Sequence, residues 1–229
     1  MNIIKKIYQT FSKKYNFHSK KKFEELKIQN SETFFFNMEL NLDKIDNIDQ
    51  INYKVFSQNG EDGIIQYLIK SLKLNHIKFV EIGTQDYTES NTRFIFETMR
   101  CDGLIIDPLK NLETLVRKNV SRFWKNNLTV INKFATPENI NSLLDDNNFQ
   151  NNIDLFSIEI DGIDYWIIKK LKKNISKIFI AEYNPYFGPE LEITVPNINN
   201  FDRTSYHYSN LCWGVSLKSL VKSMIEKNY

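Results

Sequence analysis

The sequence predicts an α/β fold, a mostly parallel sheet with helices on both faces, preceded by a helical extension. Three observations predict it. The run Ile77, Phe79, Val80, Ile82 carries Glu81 near its end and breaks at Gly83, and Phe94, Ile95 and Met99 then recur at helical spacing. Strand, glycine turn and helix open a nucleotide-binding α/β unit, where a glycine lets the backbone pass close to a ligand. A second apolar run, Gly103 to Ile106, ends in Asp107, 24 residues after Gly83 and close to the about 20 of such a unit. An acid at that position can accept hydrogen bonds from a ribose diol. Two further apolar runs, 153–160 and 178–181, also end in carboxylates. The opposing reading of the first stretch is that Gly83 ends a buried strand and binds nothing. A dinucleotide site carries G-x-G-x-x-G, and here positions 85 and 88 are Gln and Thr.

Length and composition bound the rest. At 229 residues, 41% hydrophobic and 14% aromatic, the chain has room for one α/β domain plus an extension. A net charge of +2 gives no global argument for a nucleic-acid partner. Seven glycines and five prolines argue against disorder. Cys101 and Cys212 lack metal-type spacing and suggest a reducing compartment. No run approaches the about 18 apolar residues of a spanning helix, and Lys5 and Lys6 are followed by no apolar signal core. Cytoplasm is the expected location.

In chain order, residues 1–29 read as a basic helix with Ile3, Ile4, Ile7 and Phe11 on one face. It is either a membrane-surface or partner-binding helix or an extension packed on the domain. The narrow apolar face and the lack of a Trp anchor favour packing. Phe34–Phe36 fits a strand or a hydrophobic plug, and 41–52 a loop or weak helix. The extension is placed at 1–54 and the main domain at 55–229. Within the latter, Phe56 to Gly63 (FSQNGEDG) leads into a helix whose apolar face is Ile64, Ile65, Leu68, Ile69 and Leu72. Ser57 or Asn59 can cap it, and Glu61 and Asp62 suit its positive end. This acidic turn is either a well-made helix start or a cover over a ligand pocket.

After the first two strands come a helix near 109–120, a third strand at 128–131 and a helix near 138–145. In a nucleotide-binding domain the turn 134–139 between them would border an adenine, and an ordinary surface turn would look the same. The fourth strand, from Ile153, runs through Glu159 into Asp161-Gly162-Ile163-Asp164. Buried parallel strands normally exclude carboxylates, so acids at their carboxyl ends, where open α/β sheets bind ligands, suggest one shared site. Glu159 needs a partner if it faces the core. The fifth strand ends in Glu182-Tyr183-Asn184. Residues 190–213 read as a polar loop with aromatic anchors, either a lid or an excursion. His207 within it is a candidate base or an incidental loop histidine. A last helix, 216–227, is capped by Ser216.

The segments FSQNGEDGII, FVEIGTQDYTESNT, GLIIDP, DLFSIEIDGIDYW and AEYNPYFGPELEITVP resemble the S-adenosylmethionine-dependent methyltransferases. Within them they resemble the FkbM-like bacterial sugar and natural-product O-methyltransferases, over roughly residues 55–227. The resemblance implies a Rossmann-like class I sheet with the cofactor across the carboxyl ends of strands one to four. Glu81, Gly83, Thr84 and Gln85 match the motif beside its methionine and ribose portions, Asp107 the acid on the ribose hydroxyls, and Asp161 the motif beside the reactive methyl. Asp161, Asp164 and His207 are the candidates for handling the acceptor's proton. Some similar enzymes use a divalent cation. If Mg²⁺ is used, Asp161, Glu182 and Asn184 are the candidate ligands. The expected acceptor is a sugar hydroxyl in surface-glycan synthesis. The loop from Gly83 to Ser90 lacks a later glycine that many methyltransferases carry. The chain reaches Tyr229 where a last antiparallel strand pair would follow, so the alternatives are a truncated fragment, a sheet of five strands or one completed by another chain. The rival readings are a non-catalytic domain of this fold and a nucleotide-sugar or NAD enzyme.

Overall fold

The computed structural model describes residues 3–120, 126–198 and 200–229, with side chains from residue 15 onward. Five strands form one all-parallel sheet: β1 (His76–Ile82), β2 (Arg100–Ile106), β3 (Asn127–Ile131), β4 (Ile153–Ile158) and β5 (Ser176–Ala181), in the order β3-β2-β1-β4-β5. The chain alternates these strands with helices, and side-chain alternation divides the core in two. Val80, Ile82, Leu104, Ile106, Phe156 and Ile158 turn to one face and pack against α5 (Ile140–Asp146), α6 (Asp164–Lys170) and α8 (Leu217–Glu226). Ile77, Phe79, Ile105 and Leu155 turn to the other, against α2 (Glu61–Ser71), α3 (Arg93–Thr98) and α4 (Leu112–Asn119). Every β4 residue is buried, including Asp154, which accepts from Lys78 N–H and pairs with Lys177, and Ser157, which accepts from the Asn91 amide. Each large side chain buried here contributes about 1.5–3 kcal/mol.

The N-terminal helix is longer than its sequence suggests. α1 spans Ile3–Leu40 and passes through Phe34–Phe36, which is neither strand nor separate plug. The repeat Ile28, Phe35, Met38 faces the domain and shares a core with Ile51, Val55, Phe56 and Phe94. Phe34 stacks on Tyr53 at 4.4 Å between ring centres, while Phe36 stays exposed. The side chains of Ile3, Ile4, Ile7 and Phe11 lie outside the described residues. Residues 41–52 form two short 3₁₀ turns rather than a helix.

One buried ion pair ties α1 to the sheet domain. Arg93, 1% exposed, donates to Glu24 at 2.8 Å and to the carbonyls of Thr88 and Asn119 at 2.9 Å, and lies 4.0 Å over the Phe56 ring. Between β5 and α8 the long connection carries, among the described residues, only the 3₁₀ turn 185–187 and the short α7 (Arg203–Tyr206). It is nevertheless anchored, by Trp166 donating to the Val195 carbonyl and by the bridge Thr194–Val215. Ser216 caps α8, as its sequence predicts. Among the described residues β5 pairs only with β4, and the Tyr229 hydroxyl donates to the Ser176 carbonyl at its start, 2.8 Å away. No helix among them is long and apolar enough to cross a membrane.

Candidate functional site

The strand order reverses between β1 and β4, with β2 and β3 on one side and β5 on the other. The chain leaves β1 toward the α3 face and β4 toward the α6 face, which opens a crevice at their carboxyl ends. Two adjoining cavities fill it. The first encloses about 180 Å³ between Ile106, Asp107, Phe134, Ile160, Ile163 and Phe201. The second, more polar, is lined by Gln58, Asp86, Thr88, Ser90 and Asn91. Gly83, Gln85, Glu159 and Asp161 border both.

Gly83 is required by the fold at this junction. Its φ is +88°, and a Cβ there would lie 1.8 Å from the Glu159 carbonyl oxygen. The close approach is held by Gly83 N–H donating to Ile106 and Glu159 N–H donating to Ile82, both at 3.0 Å. Gln85 and Asp161, neither a glycine, also take left-handed φ values, 48° and 55°. Such strain collects where surrounding structure fixes it for a purpose.

The predicted acids divide by what their oxygens already do. Glu81 alternates away from Val80 and Ile82, so it points to the α3 face at the end of β1. There its carboxylate accepts from the Ser90 hydroxyl at 2.6 Å, from Asn91 N–H at 2.9 Å, and from both the N–H and the hydroxyl of Thr92. It closes the loop that leads into α3. Burial holds its pKa above the ordinary carboxylate value against these bonds. Thr84 is buried in the same loop, its carbonyl accepting from Tyr87 N–H. Asp164 is buried too, and accepts from Ile160 and Gly162 N–H at 2.9 and 3.0 Å. It lines neither cavity; it closes the turn that presents Asp161 instead. Asn184 is fully buried, donating to the Leu211 and Trp213 carbonyls and accepting from Tyr186 N–H. Its amide is therefore committed to the long connection. Asn184 is thereby engaged elsewhere and not free to join Asp161 and Glu182, and the described residues hold no group of three or more His, Cys, Asp or Glu side chains able to hold a metal. His207 is exposed, bonded to Ser209 at 2.7 Å, and lines neither cavity.

Asp107 does face the first cavity. Its two oxygens each accept one backbone N–H, from Gln85 at 2.8 Å and from Leu109 at 2.7 Å. Each keeps lone-pair capacity for a further donor. The turn after β3 supplies Phe134, Ala135 and Thr136 to the opposite wall. Asn139 holds that turn by accepting from Thr136 N–H and donating to the Phe134 carbonyl. Asp161 meets Arg203 of α7 at 2.6 Å across the mouth, so the long connection reaches over the crevice through Phe201 and Arg203.

Glu159 is the residue that sequence reasoning left unassigned. It is the first position past β4, half-buried, and its carboxylate has no hydrogen-bond partner among the described residues. Burial, and then the nearby carboxylates Glu182, Glu81 and Asp161, push it up to about 7. Glu182 is likewise lifted to about 7, by burial and by Asp161 and Asp164 against the pull of Arg203. Its place just beyond a strand that is buried throughout, in a segment read for Asp161, was the available signal. Gln58 was also missed. Asp62 explains its position, accepting from Val55, Phe56 and Ser57 N–H at 2.7–2.8 Å and so folding the FSQNGEDG turn against the second cavity. That turn is thus both a built helix start and a wall of the crevice. Neither protein-family models nor curated proteins give a match to this chain.

Proposed function

We propose that this chain is an S-adenosylmethionine-dependent O-methyltransferase that methylates a sugar hydroxyl, of the FkbM-like kind its motifs resemble. The observation that carries the reading is the division of the crevice at Glu159, with an apolar cavity ending in Asp107 on one side and a polar, acid-lined cavity on the other. Ile106, Phe134, Ile160 and Ile163 suit the faces of an adenine. Asp107 suits a ribose diol, and Glu159 and Asp161 suit the positive charges of a sulfonium and an ammonium group. The cofactor, when bound, supplies an electrophilic methyl group on sulfur.

The chain's own residues position and deprotonate the acceptor. Gln58, Thr88, Ser90 and Asn91 line the second cavity with hydrogen-bonding groups that match a polyhydroxyl compound. Glu159 stands between the two cavities with free lone pairs and takes the proton that the acceptor hydroxyl loses as its oxygen bonds to the methyl carbon. A carboxylate near 7 is matched to this exchange at neutral pH. Phe201 and the Arg203–Asp161 pair narrow the mouth. Titrating S-adenosylhomocysteine into the chain by calorimetry tests the reading. Saturable binding that Asp107→Ala weakens at least about tenfold is expected, the loss of roughly one charge-assisted hydrogen bond. A folded chain that takes up neither this compound nor the methyl donor would overturn it.

A further inference from the structure

We infer that α1 is an interfacial anchor that lays the protein on an anionic lipid surface, using lysines of its N-terminal half and the exposed apolar side chains among them. The net charge of +2 conceals a marked asymmetry. Residues 1–23 hold seven lysines and no acid, leaving 23 basic against 28 acidic residues in the remainder. A basic segment on an otherwise acidic protein points to an anionic partner.

The helix shows which of its sides is free. Glu24, Ile28, Phe35 and Met38 face the domain, through Arg93 and the shared core. Tyr15, Lys22 and Leu26 recur at helical spacing on the side turned away, beside Phe23. Tyr15 is 74% and Phe23 61% exposed. Phosphate-backbone binding needs lysines but gives no use to exposed Phe, Tyr and Leu, whereas a bilayer interface takes both. On the domain-facing side, Phe17, Lys20, Lys21 and Glu24 of α1 and Lys118 of α4 line a notch, with Lys118 Nζ 5.5 Å from the centre of the Phe17 ring. Asp86 borders both this notch and the second cavity of the crevice.

Co-sedimentation of the full chain with vesicles tests this, and needs no methyl donor, so its failure is separate from that of the enzymatic reading. Vesicles of equal parts phosphatidylcholine and phosphatidylglycerol are expected to carry down at least about tenfold more protein than phosphatidylcholine alone. The difference should fall away at about 1 M salt, where the screening length is about 3 Å. Lys20→Gln, Lys21→Gln and Lys22→Glu together should abolish sedimentation while the chain stays folded by circular dichroism. Tyr15→Ser with Phe23→Ser, which keeps every lysine, should weaken it. Equal sedimentation with both vesicle types, or none with the anionic type at low salt, would overturn the proposal. So would a stable dimer in light scattering that Leu26→Glu separates, since a second copy would then cover this side.

Discussion

Glu81 and Glu159 are acids at the carboxyl ends of neighbouring strands, on either side of the same glycine, yet they do opposite things. Glu81 meets four donors within one loop and builds the entry to α3. Glu159 meets none and stands at the junction of two cavities. Asp62, Asp164 and Asn184 side with Glu81; Glu182 accepts no hydrogen bond among the described residues but, unlike Glu159, lines neither cavity. A polar residue at a strand end is thus not a site residue by position alone. Those whose lone pairs are filled by the backbone hold the crevice in shape, and those left open are available to a ligand.

The largest test of this contrast is Glu81→Ala. Removing the acceptor of four buried or half-buried donors should cost about 3–5 kcal/mol, read as a lowered urea midpoint. Glu159→Gln should do the reverse. Because its pKa in the folded chain is raised to about 7, the folded state binds the proton more tightly than the unfolded one. Stability therefore falls as pH rises from about 4.5 to about 7 and is level above that. Neutralising the group should stabilise the chain at pH 8 by on the order of 2 kcal/mol, while methyl transfer falls at least about a hundredfold. A Glu159→Gln chain that is less stable and fully active would erase the distinction drawn here.

How much of this was legible in sequence follows from the same contrast. The strands and their order of appearance could be read because a parallel strand covered on both faces is mostly apolar, as 153–158 is apart from Asp154 and Ser157, whose polar atoms are hydrogen-bonded. Gly83 and Asp107 stood out by spacing and are both on the crevice. The continuation of α1 through Phe34–Phe36 could not be read, since three consecutive rings fit neither period; two pack on Tyr53 and Phe94 and the third is exposed. Nor could the filling of Asp164 and Asn184, whose partners come from turn geometry and from residues 27 and 29 positions away. His207 drew attention as a lone histidine, and the fold leaves it on the surface.

Smaller effects sharpen the picture. Asp107→Ala orphans the N–H groups of Gln85 and Leu109 and should cost about 1–2 kcal/mol of stability, in addition to its loss of ligand binding. Arg203→Ala removes a pair that is more than a third exposed on both sides, so its effect on unfolding should stay under about 1 kcal/mol. His207→Ala should change neither stability nor turnover.

The central claim is that the open acids, Glu159 above all, receive the positive charge of a methyl donor. Its most direct test is the affinity for S-adenosylmethionine at pH 6 and pH 8, in the wild-type chain and in Glu159→Gln, which also carries the ligand's own titration as a control. Glu159 is protonated below about 7 and charged above it, so the wild-type chain should bind more tightly at pH 8, and the variant should lose most of that gain. Binding that is equally pH-dependent in both chains, or absent from both, would contradict the account.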